Sequence, residues 1–487
     1  MSCATSSLET YIPSSDTPWN VRRVAHLYRR MAFGATAEQI NQALNMSPAA
    51  LVDQLVNQAL NLPLSPPPTW AEWARQPVDD YTDFDEEVGQ HYEEMSVQWV
   101  KDMLNNGFRD KLVLFWSNHF VTEWYSYYCS AYLYSYHKTL QQNALGNFRT
   151  FVEAIGKTPA MLIYLNGNLN TANEINENYG RELMELFTLG QNNGYTEDDV
   201  YEISRALTGW IGANGETCEF YENDNQRFDP DFHDNSPKEI FGQTGNWGYN
   251  DVHQLIFTLR ANQVATYICS KIYRYFVNED IDEEVVAGLA QTFRNNNFEL
   301  APVFRQLFKS EHFFHEDVVG TRIKSPMEYL IGFLHTSGLP YNDDNLRDLV
   351  YASDGLGQQL FVPVDVAGWP GHHAWINENT LTRRWDMVGE FIENLEEDAY
   401  IPMINLALYL TNNSNDVALI ARSMVDYFLP NGLPNPNEYE VATDVLKGDI
   451  PENYFQDGSW SLDWAEARGQ MRLLMGHLLR LPEFQLT

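Results

Sequence analysis

Residues 176–190 read NENYGRELMELFTLG, and what this stretch forms decides the fold. At about 100° per residue, Tyr179, Leu183, Leu186, Phe187 and Gly190 fall on one arc. Glu177, Asn178, Arg181, Glu182, Glu185 and Thr188 fall on the opposite one. The spacing predicts an amphipathic helix. Glu177–Arg181 and Arg181–Glu185 are both i,i+4 pairs, so one guanidinium stands between two carboxylates. The polar face is either solvated surface or the wall of a site.

Outward from it, the pattern stays helical. In TEDDVYEISRALTGW (196–210), Thr196 is an N-cap with Asp199 at the capping-box position. Glu197 and Asp198 complement the helix dipole, and Val200, Ile203, Leu207 and Trp210 form the buried stripe. The short GQNNGY loop makes the two segments a helical hairpin. Upstream, VRRVAHLYRRMAFG is an amphipathic start, and NLPLSPPP (61–68) is a rigid break. Helices are then expected over 86–106, 109–125, 128–145 and 147–155. Downstream they are expected over 251–276, 283–296, 300–310, 326–337, 381–393, 401–411, 416–428 and 463–480. Residues 212–250 differ, with a β-hairpin in TCEFYENDNQRF followed by an acidic loop. A second irregular region, 351–380, is an aromatic loop. The expectation is a mostly α, multi-helix single globular fold over 1–487, with long ordered loops and a small β-hairpin insertion.

Charge narrows the function. The 487 residues carry 67 acidic against 31 basic side chains, a formal net of −36. Nucleic-acid binding needs a basic patch to displace phosphate counterions, and no such cluster stands in the sequence. Polyanionic substrates face long-range repulsion and could enter only through a local basic pocket. Cys3, Cys129, Cys218 and Cys269 form no CxxC pair; an even count permits disulfides without making a disulfide scaffold. No apolar run is long enough for a membrane helix.

Several constellations could carry chemistry. FDPDFHD brings Asp229, Asp231, His233 and Asp234 together, hard oxygens and one imidazole suited to a divalent cation; the same residues also crowd turns by bonding their own backbone. In FWSNHFVTE, His119 and Glu123 stand one helical turn apart, able to share an ion or a water. Glu328 in KSPMEYL is explained by a capping box with Ser325, Pro326 taking the first helical position. In GWPGHHAW, exposed faces of Trp369 and Trp375 could stack on sugars, with His372, His373 and nearby Asn377 as polar contacts. GxSxG, Walker A, HExxH and GxGxxG motifs are absent.

HLYRRMAFG, FWSNHF and the run 176–210, then FDPDFHD, KSPMEY, GWPGHHAWINENTLTRR and the closing LPEFQ, resemble in the same order the bacterial family called domain of unknown function 1800. The resemblance spans about His26 to Phe484. It implies a mostly helical, usually exported protein, periplasmic, on the outer surface or secreted. The leader of such proteins does not stand in this sequence, so a cytoplasmic location stays open. Members are often encoded beside a sulfatase-like partner. The resemblance supplies no reaction.

The working expectation is a hydrolase-like enzyme acting on a glycan or other cell-envelope polymer. Glu177, Arg181, Glu182, Glu185 and His119 would be its catalytic set. One divalent cation would sit on Asp229, Asp231, His233 and Asp234, and substrate on Trp369, His372, His373, Trp375 and Asn377. The rivals are a non-catalytic partner or scaffold of the sulfatase-like protein, and a carbohydrate-binding protein.

Overall fold

The computed structural model describes residues 7–74, 81–215, 217–218 and 228–487. Helices follow one another from Val21–Met31 to Glu466–Leu478, and the two described strands, Lys238–Ile240 and Gln243–Gly245, pair antiparallel. The fold is mostly α, as the periodicity predicts. The strand pair lies inside 212–250 but later than TCEFYENDNQRF, most of which falls outside the described residues.

Caps behave as read. Thr196 with Asp199 and Ser325 with Glu328 both form reciprocal capping boxes, each satisfying backbone N–H groups that the first helical turn leaves unpaired. One buried aromatic cluster joins distant parts of the chain. The Trp116 ring stacks at 5.5 Å from Phe148, and Phe120 lies 4.8 Å from Phe151 and 5.4 Å from Phe187. A disulfide joins Cys129 to Cys218 across 89 residues. In the chain-entropy account a loop of that length is worth roughly 4–5 kcal/mol.

The helix expected over 251–276 breaks at Arg260 into Tyr249–Leu259 and Ala261–Phe276, and two further segments depart more strongly. In the opening stretch, Asn178–Glu182 is one α-turn, and Leu183–Thr188 widens into a π-helix, closed where the Leu189 N–H donates to the Met184 carbonyl at 2.9 Å. The wider turn rotates Thr188 inward: it is fully buried, where the α-period put it on the polar face. Its hydroxyl donates to the Leu183 carbonyl. The second departure follows FWS. The helix Phe108–Ser117 stops there, and Glu123 has extended backbone. Phe120 and Val121 are adjacent and both fully buried, which extended chain entering the core permits. His119 and Glu123 therefore do not share a helix face, and the Glu123 carboxylate accepts from the Ser126 hydroxyl.

Candidate functional site

Three segments far apart in sequence meet at one cavity of about 270 Å³. Asn118 and His119 come from FWSNHF, Arg322, Ile323 and Ser325 from the approach to KSPMEY, and Trp369, Gly371, His372 and Trp375 from GWPGHHAW. The helix Ala261–Phe276 adds Lys271, Arg274 and Tyr275, and Glu279 follows.

Asn118 holds the first and third segments together. Its Oδ1 accepts from the Trp369 N–H at 2.6 Å, and its Nδ2 donates to the Trp369 carbonyl at 3.1 Å. Gly368 makes this approach feasible. Its φ is +89°, and a Cβ there would lie 2.2 Å from Asn118 Oδ1. Trp369 and Trp375 are 5% and 8% exposed, so they wall the cavity and are not the open stacking platform the sequence led us to expect. His372 is half-buried, while His373 and Asn377 are exposed. Asn377 accepts from the Asn379 and Thr380 N–H groups and caps the next helix.

The charges in this cavity are unlike those of the rest of the chain. Lys271 makes no hydrogen bond or ion pair among the described residues; its ammonium lies 5.2 Å from the centre of the Tyr267 ring. Burial, together with the nearby charge of Arg274, brings it down to about 8. Arg322 is held by Glu328 at 3.2 Å and lies over the Tyr275 ring at 4.9 Å. Glu328, nearly fully buried, also pairs with Lys111. Burial opposes its ionisation, but Arg322 and Lys111 outweigh that and hold the carboxyl well below its ordinary range. The capping box is thus only half of what Glu328 does.

Two imidazoles complete the wall. His119 Nε2 donates to the Phe187 carbonyl at 3.1 Å, which fixes the tautomer and leaves Nδ1 a lone pair. That buried Nδ1 has no hydrogen-bond partner, and neither has Nδ1 of His372. Burial, with Lys271 adding to it, keeps His119 neutral. Burial and His373 lower His372, while Glu279 pulls it back up.

The other expected site residues lie elsewhere. Arg181 reaches Glu177 at 3.2 Å, Glu185 at 3.4 Å and Glu197 at 2.7 Å. It ties the opening stretch to the first turn of the next helix at the surface. Glu182 makes no hydrogen bond or ion pair among the described residues; burial and Glu185 raise its carboxyl. It lies outside the cavity lining, although its charge reaches Tyr267.

In FDPDFHD, Asp229 caps a short 3-10 turn, and Asp231 is exposed. The His233 Nδ1 lies 3.0 Å from the Thr208 carbonyl, and Asp234 pairs with Arg205 at 2.7 Å. Burial pushes the Asp234 carboxyl up, but hydrogen bonds from Arg205 and Ser236 bring it down to about 2. These contacts are turn chemistry and an ion pair.

Sequence reading missed Lys271, Arg274, Arg322 and Glu279. A signal existed. ANQVATYICSKIYRYF, residues 261–276, has two cations and no acid, in a chain where acids outnumber bases 67 to 31.

A family model described as "Protein of unknown function (DUF1800)" matches residues 26–486. The chain belongs to this family. No curated protein and no solved structure matches it. Three of the segments that carry the DUF1800 resemblance, FWSNHF, KSPMEY and GWPGHHAW, contribute residues to the cavity lining.

Proposed function

We propose that this DUF1800 protein is an extracytoplasmic, hydrolase-like enzyme whose active site is the 118–119/322–325/369–375 cavity. Its substrate is a glycan or other cell-envelope polymer bearing an anionic group, a carboxylate or a sulfate ester. One observation carries the reading. Lys271, Arg274 and Arg322 line a cavity with Glu279 as its one carboxylate, in a chain of net charge −36. Cations left without carboxylate partners in a partly desolvated wall are costly unless an anion joins them. Lys271 fits that description; Arg274, which is exposed, adds its charge to the same lining.

The lone pair on His119 Nδ1, the unpartnered Nδ1 of His372 and the Lys271 ammonium, brought down to about 8, supply groups for proton transfer to or from a bound water. The cavity offers one carboxylate, so the paired-carboxylate glycosidase scheme does not apply. Proton transfer falls to the imidazoles. The disulfide agrees with an exported protein.

The test is binding and turnover of acidic against neutral oligosaccharides, by calorimetry and product analysis at low and moderate salt. Acidic oligosaccharides should bind, more weakly as salt rises, and Lys271→Met with Arg274→Ala should abolish binding. Binding without product would leave a carbohydrate-binding protein using the same cavity. Equal binding of neutral and acidic chains, or none of either, would overturn the proposal and turn attention to a protein partner.

A further inference from the structure

Asp102, Asp110 and His137 come from three different helices, Phe84–Asn106, Phe108–Ser117 and Ser130–Asn143. Each offers one ligand atom, and these atoms all lie within 4.8 Å of one another. The residues are 6%, 0% and 1% exposed. Two carboxylates so deep in a protein need compensation. Part of it is present. Arg109 reaches Asp110 at 3.0 Å, Ser65 donates to Asp102 at 2.6 Å, and Gln98 donates to Asp102 at 3.0 Å. One guanidinium against two carboxylates still leaves a negative charge inside.

His137 supplies an independent observation. Neither of its ring nitrogens has a hydrogen-bond partner. Its ring is walled by Trp99 at 4.9 Å and Phe361 at 5.8 Å. A neutral imidazole carries one N–H and one lone pair, and leaving either buried and unmet costs about 1–3 kcal/mol.

The amide of Gln141 stands at the middle of the group. Its Nε2 is 3.2 Å from Asp102 Oδ2, 3.2 Å from Asp110 Oδ1 and 3.2 Å from Ser65 Oγ. Two N–H bonds thus face three acceptors. Amide nitrogen and oxygen are interchangeable by a flip of the side chain, which would put an oxygen at the same point.

We infer that Asp102, Asp110 and His137 form a structural site for a divalent cation, with the Gln141 amide oxygen as fourth ligand. The ion gives the His137 lone pair its partner and neutralises the second carboxylate. Each carboxylate retains lone pairs beyond those its present donors use. Three oxygens and one nitrogen are too few for calcium, which takes six to eight oxygens, and suit four-coordinate zinc. The ion would brace the helix Phe108–Ser117, whose far end carries Leu114 and Phe115 in the cavity wall.

Elemental mass spectrometry of the purified full chain tests this, before and after incubation with zinc chloride and desalting. One zinc per chain is expected in the wild type and in His233→Ala. Less than a tenth of that is expected in His137→Ala and in Asp102→Asn. Thermal unfolding of the wild type with and without a chelator needs no variant to fold, and a chelator-dependent fall in Tm is expected. The inference is overturned by a zinc-loaded wild type that carries no metal, by metal retained in both His137→Ala and Asp102→Asn, or by metal lost in His233→Ala instead.

Discussion

Arg181 and Glu328 are mirror images. Around Arg181 three carboxylates converge on one guanidinium at the surface. Around Glu328 one buried carboxylate serves Lys111 and Arg322, while Lys271 and Arg274, in the same cavity lining as Arg322, form no ion pair among the described residues. In a strongly acidic chain the first arrangement is the default, because acids outnumber bases 67 to 31. The second has to be built. Where cations outnumber carboxylates against that background, the missing anion is the thing to look for.

The largest effect that could break this comparison is at Glu328. Glu328→Gln retains a cap but leaves Lys111 and Arg322 buried without a counter-charge, and should cost about 3–5 kcal/mol in denaturant unfolding. The sign with pH follows. The folded carboxyl lies below its ordinary 4.5, so its contribution is complete above that pH and is lost as acid protonates it. A stability curve flat from pH 6 to 3 in the wild type would contradict the assignment.

Next is the cavity. Lys271→Met keeps an apolar side chain and removes the charge, and should weaken an acidic ligand about 100-fold, roughly 2.7 kcal/mol, with Tm unchanged or raised. A fall in Tm comparable to that of Glu328→Gln would make Lys271 structural instead. Because Lys271 is brought down to about 8, wild-type affinity for an anion should fall as pH rises from 7 to 9. Lys271→Met should lack that limb of the titration curve.

Asp234→Asn should cost about 1–2 kcal/mol by breaking the half-shielded pair with Arg205, with metal content unchanged. Loss of metal there would restore FDPDFHD as an ion site. The smallest effect is expected at Arg181. Its exposed ion pairs predict a loss of about 0–1 kcal/mol in Arg181→Ala and unchanged ligand affinity. A large loss of affinity would return the opening stretch to the site.

Much of the fold was legible because it depends on neighbours in sequence. Thr196 with Asp199 and Ser325 with Glu328 are three residues apart, and a capping box needs nothing else. The π-helix at Leu183–Thr188 was not legible, since the α-period and the wider turn bury different faces of the same letters. Nor was the stop after Ser117, where Asn118 is drawn to the Trp369 backbone by a contact 251 residues away. FDPDFHD looked like a ligand set because its residues are adjacent. In the fold His233 turns to Thr208 and Asp234 to Arg205.

By itself the sequence determined that this is a mostly helical member of the DUF1800 family with a strongly acidic surface, and it singled out FWSNHF, KSPMEY and GWPGHHAW as motifs. Only the tertiary structure decided that these motifs share one cavity and that Lys271 and Arg274 line it without an ion pair among the described residues. It alone set Asp102 and Asp110 beside an unpartnered His137. Capping and periodicity are short-range and survive in a one-dimensional record. Whether a charge is paired depends on groups hundreds of residues away, and only packing brings those together.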